Sequence, residues 1–280
     1  MQTPDQLKEL VRQKYGEIAA QEQGQANSCC GSGPCSQEVY NIMSDDYATL
    51  EGYAPDADLN LGCGLPTQFA KISPGQTVID LGSGAGNDCF VARHETGPEG
   101  RVIGIDFTPE MIARARQNAA KLGYDNVTFR EGDIEDIPVA DQTADVVVSN
   151  CVLNLVPNKT RAFQEIYRVL KPGGHFSISD VVIEGALPVQ VQQAAEMYAG
   201  CVSGAIQQAA YLDTIRTAGF EQVTVQKLKP IFIPDDILLT YLTPAELAEF
   251  RQGEAGIYSL TVFASRPGGE PCCTPGGGCC

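Results

Sequence analysis

Positions 78 to 86 of the 280-residue chain read Val78-Ile79-Asp80-Leu81-Gly82-Ser83-Gly84-Ala85-Gly86. The apolar beginning, Thr77 to Leu81, is typical of a short buried strand, and a helix is predicted from Asp88 to Glu95. Glycines between them allow a tight turn and let a ligand approach the backbone closely. A strand that leads through such a loop into a helix predicts a binding site for a nucleoside cofactor in an α/β sheet.

The strand–helix alternation continues on the carboxyl side of this loop. Six further strands are predicted at Arg101–Ile105, Val127–Arg130, Asp145–Asn150, His175–Val182, Glu221–Leu228 and Ile257–Ala264. Repeated strand–helix units favour a parallel sheet that is covered on both faces. We therefore expect an α/β fold with a doubly wound, mostly parallel seven-stranded sheet and with N-terminal and C-terminal additions. The last strand is expected to be antiparallel and at the edge of the sheet.

Composition divides the chain into four segments. Residues 1–60 combine an amphipathic helix with a cysteine-rich loop, and residues 61–184 form the α/β core that binds the cofactor. Residues 185–266 are expected to supply helices on the substrate side and the last strands of the sheet. Residues 267–280 form a tail that is rich in glycine and cysteine, and this composition predicts disorder.

The charge of the chain limits its partners. The formal net charge is −16, so neither nucleic acid nor an anionic membrane is an expected partner. The N-terminus lacks the pattern of a signal peptide, and no stretch has the apolar length of a spanning helix. We expect a cytoplasmic monomer whose eleven cysteines are ligands or redox groups rather than a disulfide framework. The two histidines leave little room for chemistry built on a histidine base.

The glycine loop lacks the spacing of a dinucleotide-binding loop, and its own spacing resembles that of a loop for a different nucleoside cofactor. A dinucleotide loop has the form G-x-G-x-x-G, whereas Asn87 takes the third glycine position here. The spacing G-x-G-x-G behind Asp80 resembles motif I of class I S-adenosylmethionine-dependent methyltransferases, in which a carboxylate suits the cationic methionine amine. Asp106 closes the second strand, where it can accept the ribose hydroxyls, and Gly132-Asp133-Ile134 resembles the segment beside adenine. The alternative is that these are ordinary tight turns of an α/β fold. The predicted cofactor-binding residues are Asp80, Gly82, Ser83, Gly84, Gly86, Asp106, Phe107, Asp133, Ile134 and Asn150.

Four cysteines have distinctive surroundings in the sequence. Cys63 lies between two glycines just before the sheet, and Cys151 follows the fourth strand at the end where ligands bind in such folds. Cys201 follows a glycine after the fifth strand, and Cys29 lies in the N-terminal loop. Cys63, Cys151 or Cys201 alone is more often a small core residue than a ligand. Cys89, inside a helix, is predicted to be such a core residue.

Together these segments resemble the arsenite S-adenosylmethionine methyltransferases. The matching segments are Gly62-Cys63-Gly64, Asp80-Leu81-Gly82-Ser83-Gly84, Asp106-Phe107-Thr108, Ser149-Asn150-Cys151-Val152-Leu153-Asn154-Leu155-Val156-Pro157 and Gly200-Cys201. The chain departs from the family pattern at Leu61, where an aromatic residue is common, and at Phe107, where methionine is common.

The resemblance implies an enzyme that transfers methyl groups to arsenite in arsenic detoxification. It implies that Cys63, Cys151 and Cys201 bind As(III), delivered free or as a glutathione or other thiol conjugate. It also implies a fourth, N-terminal cysteine, for which Cys29 is our choice and Cys30 the alternative. Thioredoxin or glutathione would reduce the resulting disulfide, and no metal cofactor is implied.

The chemistry of arsenic agrees with this set of residues. Thiolates are soft ligands and select thiophilic centres. An As(III) atom held by three thiolates keeps a lone pair, which can attack a sulfonium methyl group without a base. A missing histidine base is therefore expected.

Two other functions stay open at this stage. One is methylation of a small organic molecule such as a quinone, because many proteins share this cofactor-binding half. The other is sequestration of metalloid by a thiol-rich protein that is not an enzyme. Three uses are open for the remaining cysteines, which are to collect metalloid, to relay disulfides or to stay idle; these cysteines are Cys30, Cys35, Cys272, Cys273, Cys279 and Cys280. A structural zinc site is a further option; against it, the sequence has no C-x-x-C pair with a matching second pair.

Overall fold

A computed structural model describes residues 4–20, 45–192, 202 and 204–268. Cys29, Cys30, Cys35 and Cys201 lie outside these residues, as do Cys272, Cys273, Cys279 and Cys280. Among the described residues, no helix is both long enough and apolar enough to cross a membrane.

Seven strands form one sheet, which confirms the predicted fold class. They are β1 Thr77–Leu81, β2 Arg101–Asp106, β3 Val127–Glu131, β4 Ala144–Asn150, β5 Leu170–Glu184, β6 Glu221–Pro230 and β7 Gly256–Ser265. The order across the sheet is β3-β2-β1-β4-β5-β7-β6. Strands β1 to β5 pair in parallel, and β7 runs antiparallel to both of its neighbours.

The prediction that β7 lies at the edge of the sheet is wrong. β7 is antiparallel as expected, but it pairs with β5 on one side and β6 on the other, so β6 is the edge strand. Burial explains the order. Most of β7 is buried on both faces, whereas seven of the ten residues of β6 are exposed and the strand carries two lysines. A polar strand is tolerated at an edge, where charged side chains also discourage pairing with another chain.

Helices cover both faces of the sheet. They are α1 Pro4–Ala20, α2 Pro66–Phe69, α3 Asn87–Thr96, α4 Pro109–Leu122, α5 Lys159–Val169, α6 Gln208–Thr217, α7 Asp235–Leu238 and α8 Pro244–Gln252. Short 3₁₀ turns occupy Tyr47–Thr49, Pro55–Ala57 and Leu153–Leu155.

The buried strands divide their side chains between two apolar layers. Ile79 and Leu81 of β1 pack in one cluster with α5 and α6. Val78, which precedes Ile79 and points to the other face, packs in a second cluster with α3 and α4. Each fully buried side chain of this size contributes about 1.5–3 kcal/mol. Because β1, β2 and β4 are held from both sides, the loops at their carboxyl ends are fixed relative to one another.

Candidate functional site

One cavity opens above the carboxyl ends of β1, β2 and β4, where a parallel sheet of this order binds its ligand. Nine of the ten predicted cofactor-binding residues line it: Asp80, Gly82, Ser83, Gly84, Asp106, Phe107, Asp133, Ile134 and Asn150. The tenth, Gly86, does not line the cavity. It precedes α3 with a φ of 101° and packs against Phe90, so its role is to turn the chain into the helix.

The glycine loop is shaped for a close ligand. Gly82 has a φ of 69°, and a Cβ there would lie 2.2 Å from Cγ2 of Val152. Gly84, with a φ of 50°, donates its backbone N–H to Oδ2 of Asp106 over 3.0 Å. L-residues with side chains rarely adopt such backbone angles, so glycine is required at both positions.

Three buried carboxylates surround the loop. Burial raises the pKa of Asp106, and burial together with the charge of Asp88 raises the pKa of Asp80 well above its usual range. Burial also raises the pKa of Asp88, to about 6. No salt bridge reaches these three residues within the described part of the chain.

Unpaired buried carboxylates are costly, and a cationic ligand would offset that cost. S-adenosylmethionine carries both an ammonium and a sulfonium group, so the chemistry of this cavity fits it. Because their raised pKa values make these carboxylates bind protons more readily, a cationic ligand would compete with protons for them.

Sequence reasoning missed two members of this site. Oδ2 of Asp88 accepts a hydrogen bond from the buried Tyr47 hydroxyl over 2.8 Å, and both residues line the cavity. The position of Asp88 next to the glycine loop was a usable signal. Tyr47 gave none, because it lies in a 3₁₀ turn far away in the sequence, and only the folded chain brings it to the loop.

Asn150 connects the cavity to the cysteine loop. Its Oδ1 accepts the backbone N–H of Cys63 over 3.0 Å and that of Gly64 over 3.3 Å, while Nδ2 donates to the Gly64 carbonyl over 2.8 Å. A Cβ on Gly62 would lie 2.5 Å from Nδ2 of Asn150. The glycines beside Cys63 therefore let this amide bind the turn directly. Asn150 was predicted only as a cofactor-binding residue, and its amide also holds the Cys63 loop in place.

Cys63 and Cys151 meet in one buried cluster, which they share with Val181, Val191 and Val202. Cys63 is completely buried, whereas Cys151 lines the cofactor cavity. The backbone of Cys151 is left-handed, with a φ of 63°, and its N–H donates to the Ser179 carbonyl over 2.7 Å.

The other two predicted cysteines, Cys201 and Cys29, lie outside the described residues. Val202, the residue after Cys201, packs in the same cluster as Cys63 and Cys151. Cys89 is buried within α3, as predicted for a core cysteine, and its thiol donates to Oδ2 of Asp80 over 3.2 Å.

Helix α1 forms one wall of the cavity through Lys8 and Tyr15. The Lys8 ammonium lies 2.6 Å from Oδ2 of Asp133 and also pairs with Glu135. Burial alone would lower the pKa of Lys8, but the hydrogen bonds and charges of these two carboxylates raise it. The N-terminal helix is thus tied to the residue that is predicted to lie beside adenine.

Comparison with known proteins relates the chain to one family. Residues 72–232 match the family model of a methyltransferase domain. An arsenite methyltransferase of Halobacterium salinarum is 46% identical over 79% of this chain, which spans 59% of the length of that relative. An arsenite methyltransferase of Aquipseudomonas alcaligenes is 32% identical, over 95% of this chain and 75% of the relative.

A solved structure agrees with these relatives. It is the crystal structure of an arsenic (III) S-adenosylmethionine methyltransferase from Chlamydomonas reinhardtii. It superposes with a TM-score of 0.62 at 32% identity, over 86% of this chain and 76% of that chain.

Proposed function

The chain belongs to the family of arsenite methyltransferases, and on this premise we propose that it transfers methyl groups from S-adenosylmethionine to As(III) held by cysteine thiolates. The observation that carries the proposal is the meeting of Cys63 and Cys151 in one cluster, with Cys151 also lining the cofactor cavity. The thiols that would bind the metalloid therefore lie beside the cavity of the methyl donor.

The cavity residues divide the recognition of the donor among them. S-adenosylmethionine supplies an activated methyl group on a sulfonium. In our proposal, Asp80 and Asp88 face its cationic methionine part, and Asp106 accepts the ribose hydroxyls. Asp133 and Ile134 lie along the adenine.

The cysteines would form the acceptor site. Cys63, Cys151 and Cys201 supply three soft thiolates, which leave the arsenic lone pair free to attack in line. No proton is removed in that step, so the chain needs no general base. Positioning is the main contribution of the protein, because reaction requires about 3–3.5 Å between the attacking and the accepting atom. Asn150 supports this geometry by holding the Cys63 turn at the edge of the cavity.

A fourth thiol, which we assign to Cys29, would restore trivalent arsenic after each transfer. Methylation forms the As–C bond and leaves a pentavalent cation, CH₃As(SR)₃⁺. Attack of a thiol RSH on one bound sulfur gives CH₃As(SR)₂, a disulfide RSSR and a proton. The two electrons taken up by arsenic come from the sulfurs, so thioredoxin or glutathione must reduce the disulfide. This demand for reductant favours the cytoplasm as the place of reaction.

The proposal is tested by incubating the protein with As(III), S-adenosylmethionine and a thiol reductant and then identifying the arsenic species. We expect methylated arsenicals from the wild-type protein. Cys151→Ser and Cys201→Ser are expected to lose the activity, because each removes one of three ligands. Cys89→Ser, the matched control, is expected to keep most of it, because Cys89 is buried within α3.

Two results would count against the proposal. A wild-type protein that makes no methylated arsenical under reducing conditions contradicts the function. Full activity of Cys151→Ser contradicts the ligand assignment alone.

A further inference from the structure

A further buried carboxylate, apart from the three around the glycine loop, lies near the cysteines. Asp180 of β5 is completely buried. Its Oδ1 accepts the N–H of Val181 over 3.0 Å, and its Oδ2 accepts the hydroxyl hydrogen of Tyr211 over 3.2 Å. Its side chain forms no salt bridge within the part of the chain that the structure describes.

Backbone contacts put Asp180 next to the cysteine cluster. Asn150, the last residue of β4, pairs with Ser179, so Asp180 lies one position beyond the end of that strand. There Cys151 turns away from the strand, and its N–H donates to the Ser179 carbonyl over 2.7 Å. Val181, the next residue of β5, packs in the cluster that contains Cys63 and Cys151, so the backbone of Asp180 borders that cluster. The side chain of Asp180 leaves the strand on the opposite face, where the Tyr211 hydroxyl binds it.

Electrostatics link Tyr211, the hydrogen-bond donor to Asp180, to both thiols. Burial, then the charge and hydrogen bond of Asp180, and then the charges of Cys63 and Cys151 raise the pKa of Tyr211 well above its usual range. The phenol that donates to Asp180 is therefore within electrostatic range of both sulfurs.

Few groups compensate the charge of Asp180. Burial raises the pKa of its carboxyl to about 7, against the opposing effects of Lys159, the Val181 N–H, the Tyr211 hydroxyl and the Asn154 backbone. Lys159, at the start of α5, is the cation that faces it, and burial lowers the pKa of that ammonium. A buried carboxylate with this little compensation destabilises the fold, so a function for it is worth seeking.

The proposed reaction moves a positive charge toward this carboxylate. Before transfer, the methyl donor carries the charge on its sulfonium, and As(III) bound by three thiolates is neutral. As the C–S bond breaks, its electron pair stays on the donor sulfur, while the arsenic lone pair forms the As–C bond. The positive charge therefore appears on arsenic, within the cysteine cluster.

We propose that the Asp180 carboxylate, held by Tyr211 just beyond the end of β4, stabilises the positive charge that develops on arsenic during methyl transfer. A fixed charge in a site without water stabilises a transition state without reorganisation at the moment of reaction. The inference rests on the proposed function. It assigns to Asp180 a role in the rate of transfer and none in the binding of neutral As(III).

Asp180→Asn tests the inference, because asparagine keeps the shape and the acceptor oxygen but removes the charge. Single-turnover methyl transfer is measured with As(III) bound beforehand, and As(III) affinity is measured separately without the methyl donor. We expect the rate constant to fall about ten- to a hundredfold, less than the 10²–10³ lost with a directly contacting group. The dissociation constants for As(III) and for S-adenosylmethionine are expected to stay within about twofold of the wild-type values, a difference of about 0.4 kcal/mol.

Two further variants show whether a slower rate comes from the lost charge of Asp180 or from a disturbed fold. Asp141→Asn changes an exposed carboxylate that pairs with Arg168, and we expect a wild-type rate. Tyr211→Phe removes the hydroxyl that favours the ionised carboxyl, so the pKa of Asp180 should rise and the rate should fall at neutral pH. Raising the pH should restore the rate of Tyr211→Phe but not that of Asp180→Asn. Prior loading with As(III) keeps the thiols of Cys63 and Cys151 from titrating in this experiment.

The outcomes separate the proposed role of Asp180 from the proposed methylation of arsenite. A wild-type rate in Asp180→Asn overturns the role of Asp180 and leaves arsenite methylation standing. Loss of As(III) affinity in Asp180→Asn also overturns it, because the residue would then shape the binding site. Failure of the wild-type protein to methylate arsenic overturns both.

Discussion

Cys151 combines a reactive side chain with an unfavourable backbone. Its φ of 63° lies in the left-handed region, which costs a residue with a side chain about 1–2 kcal/mol. Strain of this kind collects at functional positions, where the surrounding structure holds it in place. Here the Ser179 carbonyl and the Gly82 turn fix the residue, because Val152, which follows it, leaves no room for a Cβ at position 82.

The strain at Cys151 predicts an unusual order of stability. Cys151→Gly should be more stable than Cys151→Ala by about 1 kcal/mol, because glycine adopts a left-handed conformation without a steric penalty. At Cys89, inside α3, the usual helical order should hold, with alanine more stable than glycine by about 1 kcal/mol. Urea unfolding of the four variants measures both differences. A Cys151→Ala variant more stable than Cys151→Gly would show that the backbone is not strained there.

Sequence analysis identified the site residues whose neighbours in the sequence already indicate a binding site. Asp80 and Asp106 lie at the ends of strands beside a glycine loop, and the structure places both at one cavity. Asp180 and Tyr47 carry no such signal. Their surroundings arise only when distant segments pack together, so a single sequence cannot show that they are buried.

At the scale of elements, helix α1 also shows that a single sequence does not reveal which distant segments pack together. Its amphipathic periodicity predicted a helix, which the structure has at Pro4–Ala20, but periodicity does not say where a helix docks. The structure places it against α4, where Arg114 donates to the Ala19 carbonyl over 3.3 Å. Lys8 thereby reaches Asp133 at the cofactor cavity.

From this position we expect α1 to slow the release of the cofactor. Lys8→Ala removes the pair with Asp133 and Glu135, and we expect S-adenosylmethionine to dissociate about two- to fivefold faster, as suits a partly exposed ion pair. Added salt should accelerate dissociation from the wild-type protein more than from the variant, because salt screens the pair. Stopped-flow displacement of the bound cofactor measures both effects.

Lys121→Ala is the matched control for Lys8→Ala. It breaks an exposed pair between α4 and Asp56, and the dissociation rate should not change. Slower dissociation from Lys8→Ala would contradict the expected role of α1 in slowing cofactor release. It would mean that Lys8 competes with the cofactor for Asp133.

At the scale of the whole molecule, strand order does most to build the site. Parallel strands β1, β2, β4 and β5 end on the same side, so Asp80, Asp106, Cys151 and Asp180 gather there although they are far apart in sequence. The sequence predicted this sheet because alternating strands and helices permit few other arrangements. It did not predict the place of β7, because the pairing of two antiparallel strands at the end of a sheet depends on which is more buried.

We propose above all that sulfurs from three separate segments of the chain bind one arsenic atom beside the methyl donor. Arsenic X-ray absorption on the 280-residue chain loaded with one equivalent of As(III) tests this most directly, by counting sulfur neighbours. We predict three sulfurs in the wild-type protein and two in each of Cys63→Ser, Cys151→Ser and Cys201→Ser. Three sulfurs in every one of these variants would contradict the claim, because other cysteines of the chain would then be holding the arsenic.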